Sequence, residues 1–443
     1  MKEDWATDEL GNIFHTSSGG TPSRRNDNYF KGSILWVKSG ELDKGVIFNT
    51  EEKISEEAVK NSSAKIFPKG TLLIALYGAT IGKLAFLGVD AATNQAICGI
   101  YKNDNIDSKF LYNFLLFRRP KLISQGAGGA QPNISQTILK KLEFSFPSKP
   151  EQRAIVQKIE NLFALLDKGI ADLKTAQEQL KIYRQAVLKK AFEGEFTNNV
   201  KENELPEGWK WVKLKEVCTK IQDGTHFSPK HQSTTRGGNT YPYITSKNIR
   251  NGFMDLSNIT YVDEEFHNSI YNRCDPVFGD VLLTKDGVNT GNVTLNTFKE
   301  PISLLSSVCL IKPTESIVAK YIVYYIQSPN GFKNLTGDMT GTAIKRIILK
   351  KIKDTIVPLP KSLDEQHTIV REIESRLSVC DKVEENISES LEKAEALRQS
   401  ILKNAFEGKL LSQEEITKCR QEADYEPASV LLERIRKENK HGK

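Results

Sequence analysis

The chain has 443 residues, of which 39% are hydrophobic and 27% charged, and its formal net charge is +6. This length exceeds what one hydrophobic core usually organises, so two or more domains are expected, and the ordinary composition argues against long disordered segments. An acidic, polar start and the lack of an apolar run of about 18 residues argue against secretion and membrane spanning.

Cysteine spacing and charge distribution narrow the class of protein further. The six cysteines form no Cys-x-x-Cys pair, which predicts buried thiols in a reducing cytoplasm rather than disulfides or zinc sites. Residues 1–150 carry 19 Lys+Arg against 15 Asp+Glu and residues 197–364 carry 21 against 17, a net +4 in each case. Two separate positive segments suit a bipartite phosphate-binding surface.

Residues 1–147, which we call the first block, are predicted to be an α+β domain. The apolar runs 34–37 and 72–75 predict strands separated by Gly- and Asn-rich turns, and 108–117 predicts a short helix. The loops contain side chains that suit base edges and phosphates, although each taken alone is more often an ordinary solvated residue. The candidates for DNA contact are Arg24, Arg25, Lys38, Ser39, Tyr77, Thr80, Lys83, Gln131 and Asn133.

Residues 148–196, the first spacer, are predicted to form one long helix. Apolar residues recur at alternating steps of four and three, the 3.5-residue period of a coiled coil. Ser148 and Glu151 have the spacing of a capping box, and Gly194 supplies a C-terminal stop. A helix of this length cannot bury its seam alone. The predicted seam is Ile155, Ile159, Leu162, Leu166, Leu173, Leu180, Tyr183 and Val187.

Residues 197–361, the second block, are also predicted to be α+β, with a strand over 281–284 and a helix over 316–327. Loop positions again combine cationic, amide and hydroxyl side chains. Because these loops differ most between the two blocks, the blocks are expected to recognise different sequences. The candidates here are Thr225, His226, Lys247, Asn248, Lys285, Asp286, Asn289, Thr290, Lys345 and Arg346.

Residues 362–411, the second spacer, repeat the first spacer at a constant offset of 214. Ser362 and Glu365 repeat the predicted capping box, and Gly408 repeats the stop. The equal length and register favour antiparallel pairing of the two helices, while the alternative is that each is only an interdomain strut. The predicted seam is Ile369, Ile373, Val383, Ile387, Leu397 and Ile401. Residues 412–443 are predicted to be a C-terminal tail with a short helix.

No catalytic or metal-binding pattern is found in the sequence. The segment Gly78-Ala79-Thr80-Ile81-Gly82-Lys83 has three residues between its glycines and lacks the following Ser or Thr of a phosphate loop. An Asn-Pro-Pro-Tyr motif for base methylation and a Pro-Asp nuclease motif are also missing. The sequence therefore predicts a non-catalytic chain that binds no metal and no cofactor.

The ordered motifs, found in both halves, resemble the specificity subunits of type I restriction-modification enzymes over essentially the whole chain. The motifs are Gly19-Gly20-Thr21-Pro22-Ser23, Asn94-Gln95, Glu151-Gln152-Arg153, Leu205-Pro206-Glu207-Gly208-Trp209, Glu365-Gln366, the two Ala-Phe-Glu-Gly helix ends and the tail segment 427–436. The second block departs from the first where Ser306-Ser307 stands for Asn94-Gln95 and Thr342-Ala343-Ile344 for Gln131-Pro132-Asn133.

This resemblance implies two target-recognition domains related by a pseudo-twofold axis and separated by an antiparallel helical spacer. Each domain would bind half of an asymmetric bipartite site on double-stranded DNA. It also implies two modification subunits that bring S-adenosylmethionine and two restriction subunits that use ATP and Mg²⁺, all cytoplasmic. The alternatives are a coiled-coil scaffold without sequence specificity and a self-contained methyltransferase or nuclease.

Overall fold

The computed structural model describes residues 4–125, 133–198, 204–337 and 346–441. The chain divides into two compact units, residues 1–172 with 390–443 and residues 173–389. The boundaries of both units fall inside the two spacers. Each unit therefore contains one globular block together with part of each spacer.

The first block contains mixed β-sheets with short helices. Its strands are β1 Ala6–Glu9, β2 Thr16–Ser18, β3 Ile34–Val37, β4 Gly45–Ile47, β5 Glu52–Ile54, β6 Ile66–Phe67, β7 Leu72–Ala75, β8 Leu84–Leu87, β9 Ala91–Thr93, β10 Ile97–Ile100 and β11 Glu143–Phe146. Its helices are α1 Leu10–Ile13, α2 Glu56–Lys60, α3 Ser108–Gln125 and α4 Gln136–Lys140. A five-stranded sheet has the order β2-β10-β7-β8-β4 and a four-stranded sheet the order β5-β3-β9-β6.

The predicted strands 34–37 and 72–75 are confirmed as β3 and β7. All four residues of β7 are buried, as expected for a central strand with both faces covered. The predicted helix 108–117 is confirmed but extends to Gln125, through Pro120. The extra turns place Leu122, which is fully buried, in the hydrophobic core of the unit.

The first long helix, α5, spans Lys149–Phe192 and is followed by the second block. The strands of that block are β12 Lys210–Lys213, β13 Cys218–Asp223, β14 Thr240–Ile244, β15 Ile249–Arg250, β16 Phe253–Met254, β17 Thr260–Asp263, β18 Val281–Thr284, β19 Val293–Leu295, β20 Ser303–Leu304, β21 Val308–Pro313 and β22 Ile356–Leu359. Its helices are α6 Glu264–Cys274, α7 Ala319–Gln327, α8 Pro329–Thr336 and α9 Leu349–Lys353. The largest sheet has the order β13-β21-β18-β19.

The second long helix, α10, spans Leu363–Phe406. It forms hydrogen bonds with the residues just before α7. The predicted helix 316–327 begins only at Ala319. The side chain of Gln366 accepts a hydrogen bond from Val318 N (2.9 Å) and donates one to Ser316 O (3.1 Å). These two bonds satisfy the hydrogen-bonding groups of the backbone just before α7 and hold that segment against α10.

The long helices run antiparallel within each compact unit. In the first unit, Arg398 of α10 forms an ion pair with Asp167 of α5, and its guanidinium lies 4.7 Å from the ring centre of Phe163. In the second unit, Arg184 of α5 contacts Asp381 of α10 at 2.7 Å. The two ion pairs are related by the sequence offset of 214. The predicted antiparallel pairing is therefore confirmed in each unit.

The predicted seam is buried or half-buried at eleven of its fourteen positions and wrong at three. Ile155, Ile159, Val187, Ile369, Ile373, Ile387 and Ile401 are buried, and Leu162, Leu166, Leu173 and Leu180 are half-buried. Tyr183, Val383 and Leu397 are instead 47%, 39% and 49% exposed. Tyr183 and Leu397 directly precede Arg184 and Arg398, which form ion pairs with the facing helix.

The helix termini follow the predicted signals, with one difference between the copies. In the first copy, Ser148 N–H and Oγ–H both donate to the carboxylate of Glu151 (3.1 and 2.7 Å). In the second copy, Ser362 Oγ accepts from Glu365 N (3.2 Å), but the Glu365 carboxylate accepts from Trp209 Nε1 (3.0 Å). Each copy therefore forms one of the two bonds of the predicted capping box, and in α10 the Glu365 carboxylate instead ties the start of the second block to the spacer.

Each long helix ends in an aromatic cluster formed with a helix of its own unit. Phe406 packs against Phe110 and Phe114 of α3, with ring centres 5.1 and 5.6 Å apart. Phe192 packs in the same way against Tyr321 and Tyr325 of α7, at 5.0 and 5.2 Å. Gly194 and Gly408 then end the helices with φ of 84° and 73°, a conformation that glycine adopts without strain.

The tail contains two helices rather than the single short one predicted. α11 spans Gln413–Arg420 and α12 spans Ala428–His441. Leu431 and Ile435 are each 1% exposed within the core of the first unit. Arg436 pairs with Asp8 at 2.8 Å, and Lys158 of α5 pairs with Glu415 at 2.7 Å. The tail is thus an integral part of the first unit.

All six cysteines are free thiols, as the sequence predicted; five are buried and Cys218 is half-buried. Across the described ranges, no helix is both long and apolar enough to cross a membrane.

Candidate nucleic-acid interface

The loop that follows β7 carries three of the candidates in the first block, Tyr77, Thr80 and Lys83, and a fourth candidate, Asn133, pairs with it. Tyr77 forms an isolated antiparallel bridge with Asn133, and Ile134 N donates to Leu76 O (2.9 Å). Tyr77 is 39% exposed and Asn133 is also exposed. The bridge thus presents both residues at the surface on a fixed backbone.

Two further candidates of this loop have partners within the first block. Thr80 Oγ–H donates to Tyr77 O (2.8 Å), and Lys83 Nζ lies 2.5 Å from an oxygen of Asp43. Both side chains therefore stabilise the loop between β7 and β8. Gln131, a further candidate, lies outside the described residues.

Two cations of the first block are balanced by glutamates. Arg24 pairs with Glu52 at 2.7 Å, and its guanidinium lies 4.1 Å from the ring centre of Phe30. Lys38 lies 2.7 Å from Glu51 and 3.1 Å from Glu52. The hydrogen bond from Arg24 is the largest cause that lowers the pKa of Glu52. Both cations are thus held in place, and neither adds a net positive charge to the surface.

The other two candidates near these cations differ in exposure. Arg25 is exposed, whereas Ser39 is half-buried at the start of a short 3-10 helix. Of this group, Arg25 is best placed to reach a phosphate.

Three candidates in the second block are buried. Thr225 is 2% exposed, Asn248 is fully buried and Lys285 is 2% exposed. The Asn248 amide accepts from Thr245 N (3.0 Å) and donates to Asp255 O (3.1 Å), so it stabilises a turn. Side chains enclosed in this way cannot reach a DNA groove. The prediction of direct DNA contact is therefore wrong for these three.

The buried Lys285 is part of a cluster of charged side chains that we call the charge cluster. Its members are Asp223, His226, Arg273, Lys285, Asp286 and Arg346. Lys285 Nζ lies 2.6 Å from Asp286 Oδ2 and 3.6 Å from Asp223 Oδ2. A buried ammonium group requires such counter-charges, because leaving it unpaired in the interior is very costly.

Asp223 is the central anion of the charge cluster. Arg273 Nη2 lies 2.7 Å and His226 Nε2 3.2 Å from its carboxylate. Burial disfavours its ionised form, but the hydrogen bond from Arg273 and the nearby positive charges outweigh burial and hold the pKa of Asp223 below its ordinary value. The carboxylate is thus ionised at neutral pH.

Asp223 and Arg273 are not among the residues predicted from the sequence. A usable signal was present in the repeat, because Lys285 falls where the first block has the buried Leu76. A lysine in a buried position of a repeat predicts a buried carboxylate nearby.

The other described candidates of the second block are exposed or half-buried and lie in the loops that carry the charge cluster. Lys247 is exposed, and the side chains of His226 and Arg346 are 53% and 61% exposed. Asn289 donates to Ser246 O (3.1 Å) and Thr290 donates to Gly287 O (2.6 Å). Lys345 lies outside the described residues.

Hydrogen bonds from backbone N–H groups bring three loops of the second block together. Lys285 N donates to Ser307 O (2.9 Å), and Ser246 N donates to Ser307 Oγ (3.2 Å). The turns at 245–248, 285–290 and 305–307 therefore converge on one surface. This surface carries cationic, amide and hydroxyl groups of the kind that bind phosphates and base edges.

The loop that follows β18 repeats the backbone arrangement of the loop that follows β7. Asp286 forms an isolated antiparallel bridge with Arg346, and Ile347 N donates to Lys285 O (2.8 Å). The sequence alignment had set Ile344 against Asn133, but the bridge sets Arg346 there. Helices α4 and α9, which follow each bridge, have the same offset of 213.

Within the part of the chain that the structure describes, no group of three or more His, Cys, Asp or Glu side chains could hold a metal ion. His226 Nε2 lies 3.2 Å from Asp223 Oδ2.

Known proteins match the chain over most of its length. Residues 2–175 and 206–393 match the family described as type I restriction modification DNA specificity domain. The type I restriction enzyme EcoKI specificity subunit from Escherichia coli K12 is 26% identical over 428 residues, which cover 93% of this chain and 90% of that relative. The MjaIX specificity subunit from Methanocaldococcus jannaschii is 24% identical over 393 residues, with coverage of 84% and 87%.

Solved structures share the fold. A chain from a structure of type I R-M complex assembly and conformational transition superposes with a TM-score of 0.71 at 19% identity, covering 92% of this chain and 98% of that one. The HsdS subunit from Thermoanaerobacter tengcongensis gives a TM-score of 0.59 at 19% identity, with the same coverage.

Proposed function

Because the chain belongs to the type I restriction modification DNA specificity family, we propose that its two blocks each recognise one half of an asymmetric bipartite site on double-stranded DNA. The chain is the DNA-recognition subunit of such a system and is not itself an enzyme. The arrangement of the loops is the reason for assigning one half-site to each block.

The observation that carries this proposal is the repeated surface loop. The same backbone bridge occurs after β7 and after β18, with Tyr77 and Asn133 in one block and Asp286 and Arg346 in the other. A common backbone positions the protein in equivalent ways, while different side chains address different base edges. Two unlike half-sites are the expected result.

The spacers are proposed to set the distance between the half-sites. α5 and α10 have 44 residues each, which corresponds to about 66 Å at 1.5 Å per residue. Arg184–Asp381 and Arg398–Asp167 link facing helices in the two units. Half-sites about one helical turn apart, roughly 34 Å, would lie on one face of the duplex.

The catalytic steps are proposed to take place on partner subunits in the cytoplasm. Two modification subunits would bring S-adenosylmethionine and two restriction subunits would use ATP and Mg²⁺. Methylation of an adenine within a duplex requires the base to be flipped out, and the pocket that receives it would belong to a modification subunit.

Methylome sequencing of a host that expresses this chain with its partners tests the proposal. We expect one bipartite motif with two different half-sites and an unread spacer of constant length. A hybrid chain in which residues 1–147 come from another specificity subunit should keep one half-site and exchange the other. A motif without two separable halves would contradict the proposal, and a chain that enriches no motif from random duplexes would be only a scaffold.

A further inference from the structure

Asn133 and Arg346 occupy equivalent places in the two blocks but differ in the base that they can address. Each lies on a β-bridge, opposite Tyr77 and Asp286 respectively. Asn133 is exposed, and the Arg346 side chain is 61% exposed. An asparagine amide can form two hydrogen bonds with N6 and N7 of adenine, whereas a guanidinium forms two with O6 and N7 of guanine.

We propose, on the basis of the proposed function, that this position specifies adenine in the half-site of the first block and guanine in that of the second. Asn133 and Arg346 are the specificity-determining residues. Asp286 and Lys285 are positioning residues for Arg346, and they do not touch DNA themselves.

The geometry of Arg346 supports a guanine contact. Its Nε lies 3.1 Å from Oδ1 of Asp286. Arginine carries one N–H on Nε and four on its terminal nitrogens, in a fixed planar fork. A bidentate contact to guanine can use the terminal nitrogens while the ion pair through Nε remains. Asp286 thus orients the fork and reduces the side-chain entropy lost on binding.

The charge of Asp286 is itself compensated. Its Oδ2 accepts from Nζ of the buried Lys285 at 2.6 Å. Without that partner, a carboxylate close to DNA would repel phosphates and the acceptor edge of guanine. The first block needs no compensating charges, because the side chain of Asn133 is neutral. Leu76 and Tyr77 stand there at the positions equivalent to Lys285 and Asp286. The second block thus has three charged residues, Lys285, Asp286 and Arg346. The first block has uncharged residues at all three equivalent positions.

Selection from randomised duplexes tests this inference, using the full chain in complex with its modification subunits. Arg346→Ala should lower the preference for guanine at one position of the second half-site about tenfold or more, with all other positions unchanged. Asn133→Ala should do the same for adenine at one position of the first half-site. Asp286→Asn should weaken the guanine preference without abolishing it.

Base analogues give a second, direct readout. Replacing the specified guanine by 7-deazaguanine removes the N7 acceptor, so wild-type affinity should fall about tenfold while the affinity of the Arg346→Ala complex should change little. Arg420→Ala is the matched control, since Arg420 is an exposed arginine of the tail that pairs with Asp4. The control should bind both duplexes as the wild type does.

The outcomes separate this inference from the proposed function. If Arg346→Ala lowers affinity equally for all sequences, Arg346 binds phosphate and the inference is overturned. If the variant keeps the guanine preference and its unfolding temperature is that of the wild type, the inference is also overturned. If the wild-type complex enriches no motif, the proposed function itself fails.

Discussion

Asp223 shows how a single buried carboxylate organises the loops around it. Its side chain is 9% exposed and receives charged contacts from Arg273, His226 and Lys285. Asp223 lies at the end of β13 and Lys285 directly after β18, strands that both pair with β21. The charge cluster therefore ties the exposed loops of the second block to its central sheet.

We expect Asp223→Asn to destabilise the second block by about 3 kcal/mol at neutral pH, because it removes the carboxylate charge that faces Arg273 and the buried Lys285. The wild-type pKa of Asp223 is lowered on folding. The stability that the carboxylate contributes is thus complete above its unfolded pKa, near 4, and is lost as the pH falls through the folded pKa. The gap between wild type and variant should therefore shrink below about pH 4.

Urea unfolding measured between pH 3 and pH 7 checks this prediction. Asp104→Asn is the control, because Asp104 is an exposed residue of the first block that pairs with Lys102, and it should leave the midpoint unchanged. An Asp223→Asn midpoint equal to that of the wild type at pH 7 would contradict the role of the charge cluster.

Side-chain burial limited what the sequence could predict about these sites. Lys285 and Asn248 have the residue types of DNA contacts, but the first is enclosed by Asp223 and Asp286 and the second completes a turn. Residue type and loop position do not show which way a side chain points. Arg346 lies at the surface, but its equivalence to Asn133 is seen only in the β-bridges, because the intervening segments differ in length.

The elements themselves were largely predictable, since they follow local rules. β3, β7 and β18 coincide with their apolar runs, and the 3.5-residue period located both long helices. The seam was wrong at Tyr183 and Leu397, which lie next to the arginines that form ion pairs across the helices. Such pairs depend on the facing helix and are not encoded in the period of one helix alone.

The aromatic clusters at the ends of α5 and α10 give a matched pair of predictions. Phe406→Ala should destabilise the first unit, and Phe192→Ala the second unit, each by about 3–5 kcal/mol, because each change opens a cavity in a closely packed core. Hydrogen exchange should show the location: amides of α3 should exchange faster in the first variant and amides of α7 in the second. Equal effects of either variant on both helices would contradict this assignment.

The tail gives a further prediction for a single element. Truncation after residue 411 removes Ile416, Leu431 and Ile435, which are 7%, 1% and 1% exposed, from the core of the first unit. It also removes the partners of Arg153 and Lys158 at the start of α5. We expect lower thermal stability and weaker protection of α1 in hydrogen exchange, with α7 unaffected. Unchanged protection of α1 would show that the tail is dispensable for the first unit.

Taken together, the two copies show which features the protein repeats and which it varies. Antiparallel helix pairs, aromatic clusters and surface bridges recur at nearly constant offsets, with Arg398–Asp167 matched by Arg184–Asp381. The loops and their supporting charges do not recur. This division suits a protein in which the spacers set a distance and the blocks supply the sequence preference.

The proposed ruler role of the spacers predicts the result of a paired deletion. Residues 172–178 and 386–392 are equivalent at the offset of 214, and removing both retains Arg184–Asp381, Arg398–Asp167 and the heptad phase of each helix. Seven residues correspond to about 10 Å of helix, or roughly three base pairs.

The methylome of a host that expresses the doubly deleted chain with its partners should therefore show the same two half-sites, separated by about three fewer base pairs. Deletion of 172–178 alone puts the two helices out of register and should abolish methylation, which makes it the control. If the double deletion left the spacing unchanged, the distance would be set by the blocks or by the partner subunits, and the spacers would serve only to hold the chain together.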